Sequence, residues 1–98
     1  MDKHSVLQTL RAHEPELKAA GIVHLRLFGS VARNESSVAS DIDLMADFDR
    51  SRRLTLISMV HLENRLADIL EAKVDLSPSD SMKEPIRNHA LRESSLAF

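Results

Sequence analysis

Apolar positions along the chain alternate between two spacings, and each spacing predicts a different element. Over residues 3–20, Val6, Leu7, Leu10 and Leu17 recur on one side, the spacing of an amphipathic helix. Asp2 is placed to cap it, and Pro15 predicts a break near His13 with a restart that puts the proline in a first turn. Gly21 predicts the end of this helical stretch. Residues 22–28 alternate instead. Val23, Leu25 and Leu27 fall on one face, and His24 and Arg26 on the other, as in a half-buried strand. Gly29-Ser30 turns the chain, Val31-Ala32-Arg33 suits a short helical turn, and residues 34–40 form a polar loop.

Alternation returns at residues 41–48. Ile42, Leu44, Ala46 and Phe48 share one face; Asp41, Asp43, Met45 and Asp47 share the other. Residues 52–71 predict the longest helix, with Met59, Leu62, Leu66, Ile69 and Leu70 as its apolar stripe. Lys73-Val74-Asp75-Leu76 predicts a short strand broken by Ser77-Pro78. A last helix is expected from Glu84 to Glu93, with Pro85 in its first turn. A long helix between the second and third strands permits a crossover. The fold class is therefore α/β (α+β): a small mixed β-sheet flanked by helices, mainly on one face, with the other face partly open.

The face that carries the aspartates has chemical possibilities. Asp41 and Asp43 stand two apart on a strand, so their side chains point the same way with Cα atoms about 6.5–7 Å apart. Two carboxylates so placed repel unless a cation lies between them. Oxygen donors without cysteine suit a hard ion such as Mg²⁺. Asp75 sits between apolar Val74 and Leu76 and so points to the same open face. Three such carboxylates can hold two metal ions about 3.5–4 Å apart. Gly29 lets backbone approach a phosphate closely, Ser30 offers a hydroxyl, and Arg33 lies one turn on as a charge clamp. Each piece alone has an ordinary reading as turn or solvated surface; their combination points to a site.

Composition narrows the alternatives. The chain has 98 residues, which fits one domain over 1–98. Its formal net charge is −2, and it has three Phe but no Trp or Tyr. Neither a basic field nor exposed stacking rings are provided for nucleic acid, so direct nucleic-acid binding is not expected. Arg50, Arg52 and Arg53, at the predicted helix start, are expected to cover a surface or meet an acidic partner. Cysteine is absent, which excludes disulfides and thiolate metal sites. The five histidines show no HxH or HExxH spacing, so zinc chemistry is unsupported. No signal-like apolar run opens the chain and no stretch reaches ~18 apolar residues, so a cytoplasmic location is expected.

Phe28-Gly29-Ser30-Val31-Ala32-Arg33, followed by Ser40-Asp41-Ile42-Asp43-Leu44, resembles the signature of the polymerase-beta-type nucleotidyltransferase superfamily. The small size and the ending Lys73-Val74-Asp75-Leu76 resemble its minimal branch, the MNT proteins. The resemblance implies that Gly29 and Ser30 hold the triphosphate of a nucleotide, with Arg33 a phosphate contact and Ser40 supporting the turn into the strand. It implies that Asp41, Asp43 and Asp75 bind two Mg²⁺ ions, Asp75 also helping to deprotonate the attacking hydroxyl. Val31 and Asn34 depart from the pattern, where a basic residue and a glycine are common. MNT proteins resemble antitoxins paired with HEPN-domain ribonuclease toxins, which implies AMP transfer from ATP to a hydroxyl, typically tyrosine, of such a partner. A non-catalytic antitoxin that neutralises its partner by occlusion is the alternative. Leu96-Ala97-Phe98 or an exposed face of the 52–71 helix would then be the contact.

Overall fold

The computed structural model describes residues 2–33 and 41–98. The predicted first helix is two: α1, Lys3–Ala12, and α2, Glu14–Ala19, separated at His13 with Pro15 in the first turn of α2. The Asp2 carboxylate caps α1 by accepting from the Ser5 N–H at 2.8 Å. Gly21, at φ +110°, leads out of α2 into β1, Ile22–Phe28. A four-residue helix α3, Gly29–Ala32, follows. Then come β2, Ile42–Phe48, the long helix α4, Leu56–Leu70, and β3, Val74–Pro78. A 3-10 turn at Ser79–Ser81, helix α5, Ile86–Glu93, and a two-residue strand β4, Ser95–Leu96, complete the order. The predicted loop over 34–40 lies outside the described residues.

The sheet has the order β3-β2-β1-β4. β2 runs antiparallel to β1 and parallel to β3, joined to β3 by the α4 crossover, so the sheet is mixed as expected. Its core face buries Leu25, Leu27, Ile42, Leu44, Val74 and Leu76 against α1, α2 and α4. The α4 stripe belongs to this core: Leu62, Leu66 and Leu70 are buried, with Met59 and Ile69 packed beside them.

Five local expectations are corrected. Val23 is not on the core face. The β1–β2 register slips between Ile22 and His24, a bulge that turns Ile22 inward and leaves Val23 exposed. Met45 faces the aspartate side of the sheet yet is only 1% exposed. That side is partly covered by α5, which packs on β1 and α3 and buries Ala90. α4 begins at Leu56 rather than residue 52, because the Thr55 side chain caps it by accepting from the Ser58 N–H at 3.1 Å. The three arginines precede the helix; Arg52 donates to the Ala19 carbonyl. Ser77-Pro78 does not break β3, which runs through Pro78. The strand is at the edge of the sheet, where a missing N–H is tolerated.

The chain's last residues are used by the fold rather than left as a binding tail. Leu96 pairs with Arg26, Ala97 is buried, and the Ala97 N–H donates to the Leu25 carbonyl at 2.8 Å. Arg11 of α1 clamps this strand by donating from Nε to the Ala97 carbonyl at 2.7 Å and from Nη2 to the Leu96 carbonyl at 3.0 Å. Arg11→Ala is expected to destabilise the protein by about 1–2 kcal/mol, the scale of charge-assisted hydrogen bonds. Hydrogen exchange checks it: the Ala97 amide should lose protection first, and unchanged protection would show that Arg11 does not hold the strand.

Candidate functional site

The candidate site forms where β1 ends and β2 begins. Phe28, Asp43 and Asp75 lie in one row across three strands, with Asp43 paired to Phe28 on one side and to Asp75 on the other. Directly opposed residues in adjacent strands share a face, so the register alone sets the two carboxylates side by side. Asp75 is exposed between buried Val74 and Leu76, as the alternation predicted. Asp41 is exposed just before β2, and the Ile42 N–H donates to the Lys73 carbonyl at 2.9 Å, which extends the β2–β3 pairing to this end.

The electrostatics agree with this proximity. Asp43 is partly buried, and its carboxyl is held above the usual carboxylate range. Burial is the main cause, followed by the charges of Asp75 and Asp41; Arg33 acts in the opposite direction. The charges of Asp75, Asp41 and Arg33 all act on the Asp43 carboxyl.

Gly29 completes the cradle. It adopts φ +76°, a left-handed conformation that side-chain-bearing residues rarely accept. A Cβ on Gly29 would overlap the Asp43 Oδ2, with Cγ at 3.1 Å and Asp43 Cβ at 3.2 Å. The glycine is thus needed both for the turn and for the room that Asp43 occupies. Ser30, the next residue, is half-buried, and its hydroxyl has no hydrogen-bond partner among the described residues. Arg33 ends α3, its N–H donating to the Gly29 carbonyl at 3.2 Å. Its Nη1 pairs with Glu93 Oε2 of α5 at 3.2 Å.

Of the residues singled out in the sequence, Gly29, Ser30, Arg33, Asp41, Asp43 and Asp75 gather at this end of the sheet. Ser40 lies outside the described residues. Glu93, the partner of Arg33, carried no signal in the sequence because it is 60 residues away on an otherwise ordinary helix.

The donors fit Mg²⁺. They are carboxylate oxygens; burial first and the charges of Asp75 and Asp41 second raise Asp43, and a cation between the carboxylates would relieve their repulsion. Among the described residues no three His, Cys, Asp or Glu side chains enclose an ion by themselves. An open set is what Mg²⁺ takes when one or two carboxylates are joined by water and substrate phosphate oxygens.

Comparison with known proteins defines the class. The family model for polymerase beta nucleotidyltransferases matches residues 13–98, and the chain belongs to this family, in its minimal branch. It is 37% identical over 89 residues to a candidate protein adenylyltransferase of Methanocaldococcus jannaschii, MJ0126, covering 90% of this chain and 89% of the relative. It is 35% identical over 85 residues to the protein adenylyltransferase MntA of Thermococcus cleftensis, covering 86% and 84%. Among solved structures, a candidate minimal nucleotidyltransferase matches with a TM-score of 0.74 at 34% identity, covering 97% of this chain and 95% of that one. The fold also matches, at a TM-score of 0.66 and 20% identity, a complex of a tri-AMPylated HEPN toxin with an MNT antitoxin from Shewanella oneidensis, covering 94% and 71%. The chain is accordingly a nucleotidyltransferase. Among its described residues no helix is long and apolar enough to cross a membrane.

Proposed function

We propose that this chain is a protein adenylyltransferase that moves AMP from ATP to a hydroxyl, a tyrosine, of a HEPN-domain ribonuclease and so acts as its antitoxin. The observation that carries the reading is the row Phe28–Asp43–Asp75, with the Gly29 turn folded onto Asp43. Relatives named as protein adenylyltransferases at 35–37% identity support the donor chemistry. The HEPN partner is supported by the fold match to an MNT antitoxin in complex with such a toxin.

In the transfer, the acceptor oxygen bonds to the α-phosphorus of ATP, the bond to the β-phosphate oxygen breaks, and pyrophosphate leaves. Asp41, Asp43 and Asp75 would hold two Mg²⁺ ions, which when bound neutralise charge on the triphosphate and on the attacking and leaving oxygens. Gly29 and Ser30 receive the triphosphate: the glycine offers backbone without a Cβ, and Ser30 offers a hydroxyl. Arg33 adds a positive charge beside the same phosphates. Asp75, the more exposed of the paired carboxylates, takes the proton from the acceptor hydroxyl. The partner supplies that hydroxyl.

The test is a transfer assay with labelled ATP, Mg²⁺ and a HEPN-domain protein from the same genome, the product of the adjacent gene being the first to try. Label is expected on a tyrosine of the partner and is expected to vanish with the double substitution Asp41→Ala, Asp43→Ala. A partner that is silenced without any label, with each of the four nucleotides, would replace the enzyme by an antitoxin that acts through occlusion.

A further inference from the structure

Three large apolar side chains stand out on the first turns of α4. Leu56 is 81% exposed, Ile57 69% and Val60 48%. They are spaced i, i+1 and i+4, so they form one ridge on the face turned away from the core residues Leu62, Leu66 and Leu70. A groove runs along each side. One lies between α4 and α2, holds about 670 Å³, and is lined by Arg52, Arg53, His61 and Arg65 among others. The other lies between α4 and β3, holds about 360 Å³, and is lined by Leu56, Val60, Leu76 and Pro78. A ridge between two grooves is the surface that another helix packs against.

The neighbouring sheet edge decides against a strand as the occupant. β3 is the outer strand on this side. Its Leu76 N–H already donates to Glu63 Oε2 of α4 at 3.0 Å. Two residues on, Pro78 has no N–H to offer. The edge is closed to an added strand in the way edges are commonly protected, and side-chain packing is left as the mode of contact.

Charge selects among helices. The chain carries a net charge of −2, yet the α2–α4 groove is lined by three arginines. Arg65 is paired with Glu16 at 2.8 Å, whereas Arg53 has no ion-pair partner among the described residues. A second copy docked through a two-fold axis would set this cationic rim against itself. We infer that the Leu56–Ile57–Val60 ridge docks a helix of a partner protein whose apolar stripe is bordered by carboxylates on the Arg53 side. Resting on the proposed function, the partner is the HEPN-domain protein, and the ridge fixes its position while a separate part of it reaches the aspartates. The ridge and the carboxylates are at different ends of the sheet: α4 starts after the C-terminal end of β2, and Asp41 and Asp43 lie at its N-terminal end.

The experiment measures binding of the HEPN-domain protein without ATP, by calorimetry, and transfer separately. The double substitution Leu56→Asp, Ile57→Asp changes only exposed side chains, so circular dichroism should be unchanged. It is expected to weaken partner binding at least ~30-fold, the loss typical of a central interface anchor. Arg53→Glu should weaken binding tenfold or more, and Lys83→Glu, an exposed charge elsewhere, should not. Mg-ATP binding should stay the same in all three variants. Partner binding that survives the double substitution overturns the inference. A native dimer that the double substitution converts to a monomer in sedimentation also overturns it, because a second copy is then the occupant. Loss of binding with no AMP transfer by the native chain would leave the docking surface standing and remove the adenylyltransferase reading.

Discussion

Asp43→Asn is expected to abolish AMP transfer and, at neutral pH without metal, to raise the melting temperature. Activity should fall by ~10³-fold or more, about 4 kcal/mol in the barrier, because the central carboxylate of the row is lost. The stability gain follows from the raised Asp43 carboxyl. In the folded chain it is buried beside Asp75 and Asp41, so it holds its proton to higher pH than in the unfolded chain. Below the ordinary carboxylate range both states are protonated and no penalty exists. The penalty grows as pH rises through the raised folded value, and above that value it is complete. Asparagine cannot ionise and escapes it. Because the group is only partly buried and water screens its neighbours, the gain should be small, read as an upward shift of the melting temperature. Thermal unfolding in EDTA at neutral pH and again near pH 3 checks it. The variant should gain at the first pH and lose the gain at the second. Added Mg²⁺ should stabilise the native chain more than the variant. A variant that melts lower than the native chain at neutral pH would mean that Asp43 is not under electrostatic stress.

Gly29→Ala should cost both activity and stability. An alanine at φ +76° carries a backbone penalty of about 1–2 kcal/mol. Its Cβ also lands on the Asp43 carboxylate, so the aspartate must rotate or the turn must move. A displacement of about 1 Å at reacting groups is enough for a ~10²-fold loss of turnover. Gly21→Ala is the matched control. Gly21 also has positive φ, +110°, but a Cβ there meets only Arg52 Cδ at 3.5 Å and Leu54 at 3.6 Å, which are ordinary contacts. It should lose stability alone, with transfer per folded molecule unchanged. Equal activity losses in the two variants would show that backbone strain, and not the encounter with Asp43, is responsible.

Much of the site was legible in the sequence because it is local. Asp41 and Asp43 are two apart on one strand, and the Gly29-Ser30 turn directly follows another, so spacing alone places each piece on its element. Asp75 could be aimed correctly from its apolar neighbours Val74 and Leu76. Helix positions followed in the same way: the Asp2 cap, the break at His13 and the core stripe through Leu62, Leu66 and Leu70 are short-range consequences of capping, proline and the 3.6 period. These are interactions between residues close in the chain, and their pattern survives without knowledge of the fold.

What tertiary structure decided has a different physical origin. The register that sets Asp43 beside Asp75 is a choice among pairings between segments some 30 residues apart, and no local spacing encodes it. The bulge that turns Val23 outward arises from fitting β1 to β2. Met45 is buried on the sheet face that α5 partly covers, and Arg33 meets Glu93 because α5 packs on α3. Pro78 stays in a strand because that strand is at the edge, and Ser95-Leu96 becomes a strand because β1 has a free side and Arg11 clamps the end of the chain beside it. The sequence by itself determined the elements and the kinds of chemistry on each, since propensity, capping and alternation act over a few residues. The tertiary structure decided which carboxylates meet, which apolar side chains are covered and which ridge remains open, since those depend on packing between distant segments.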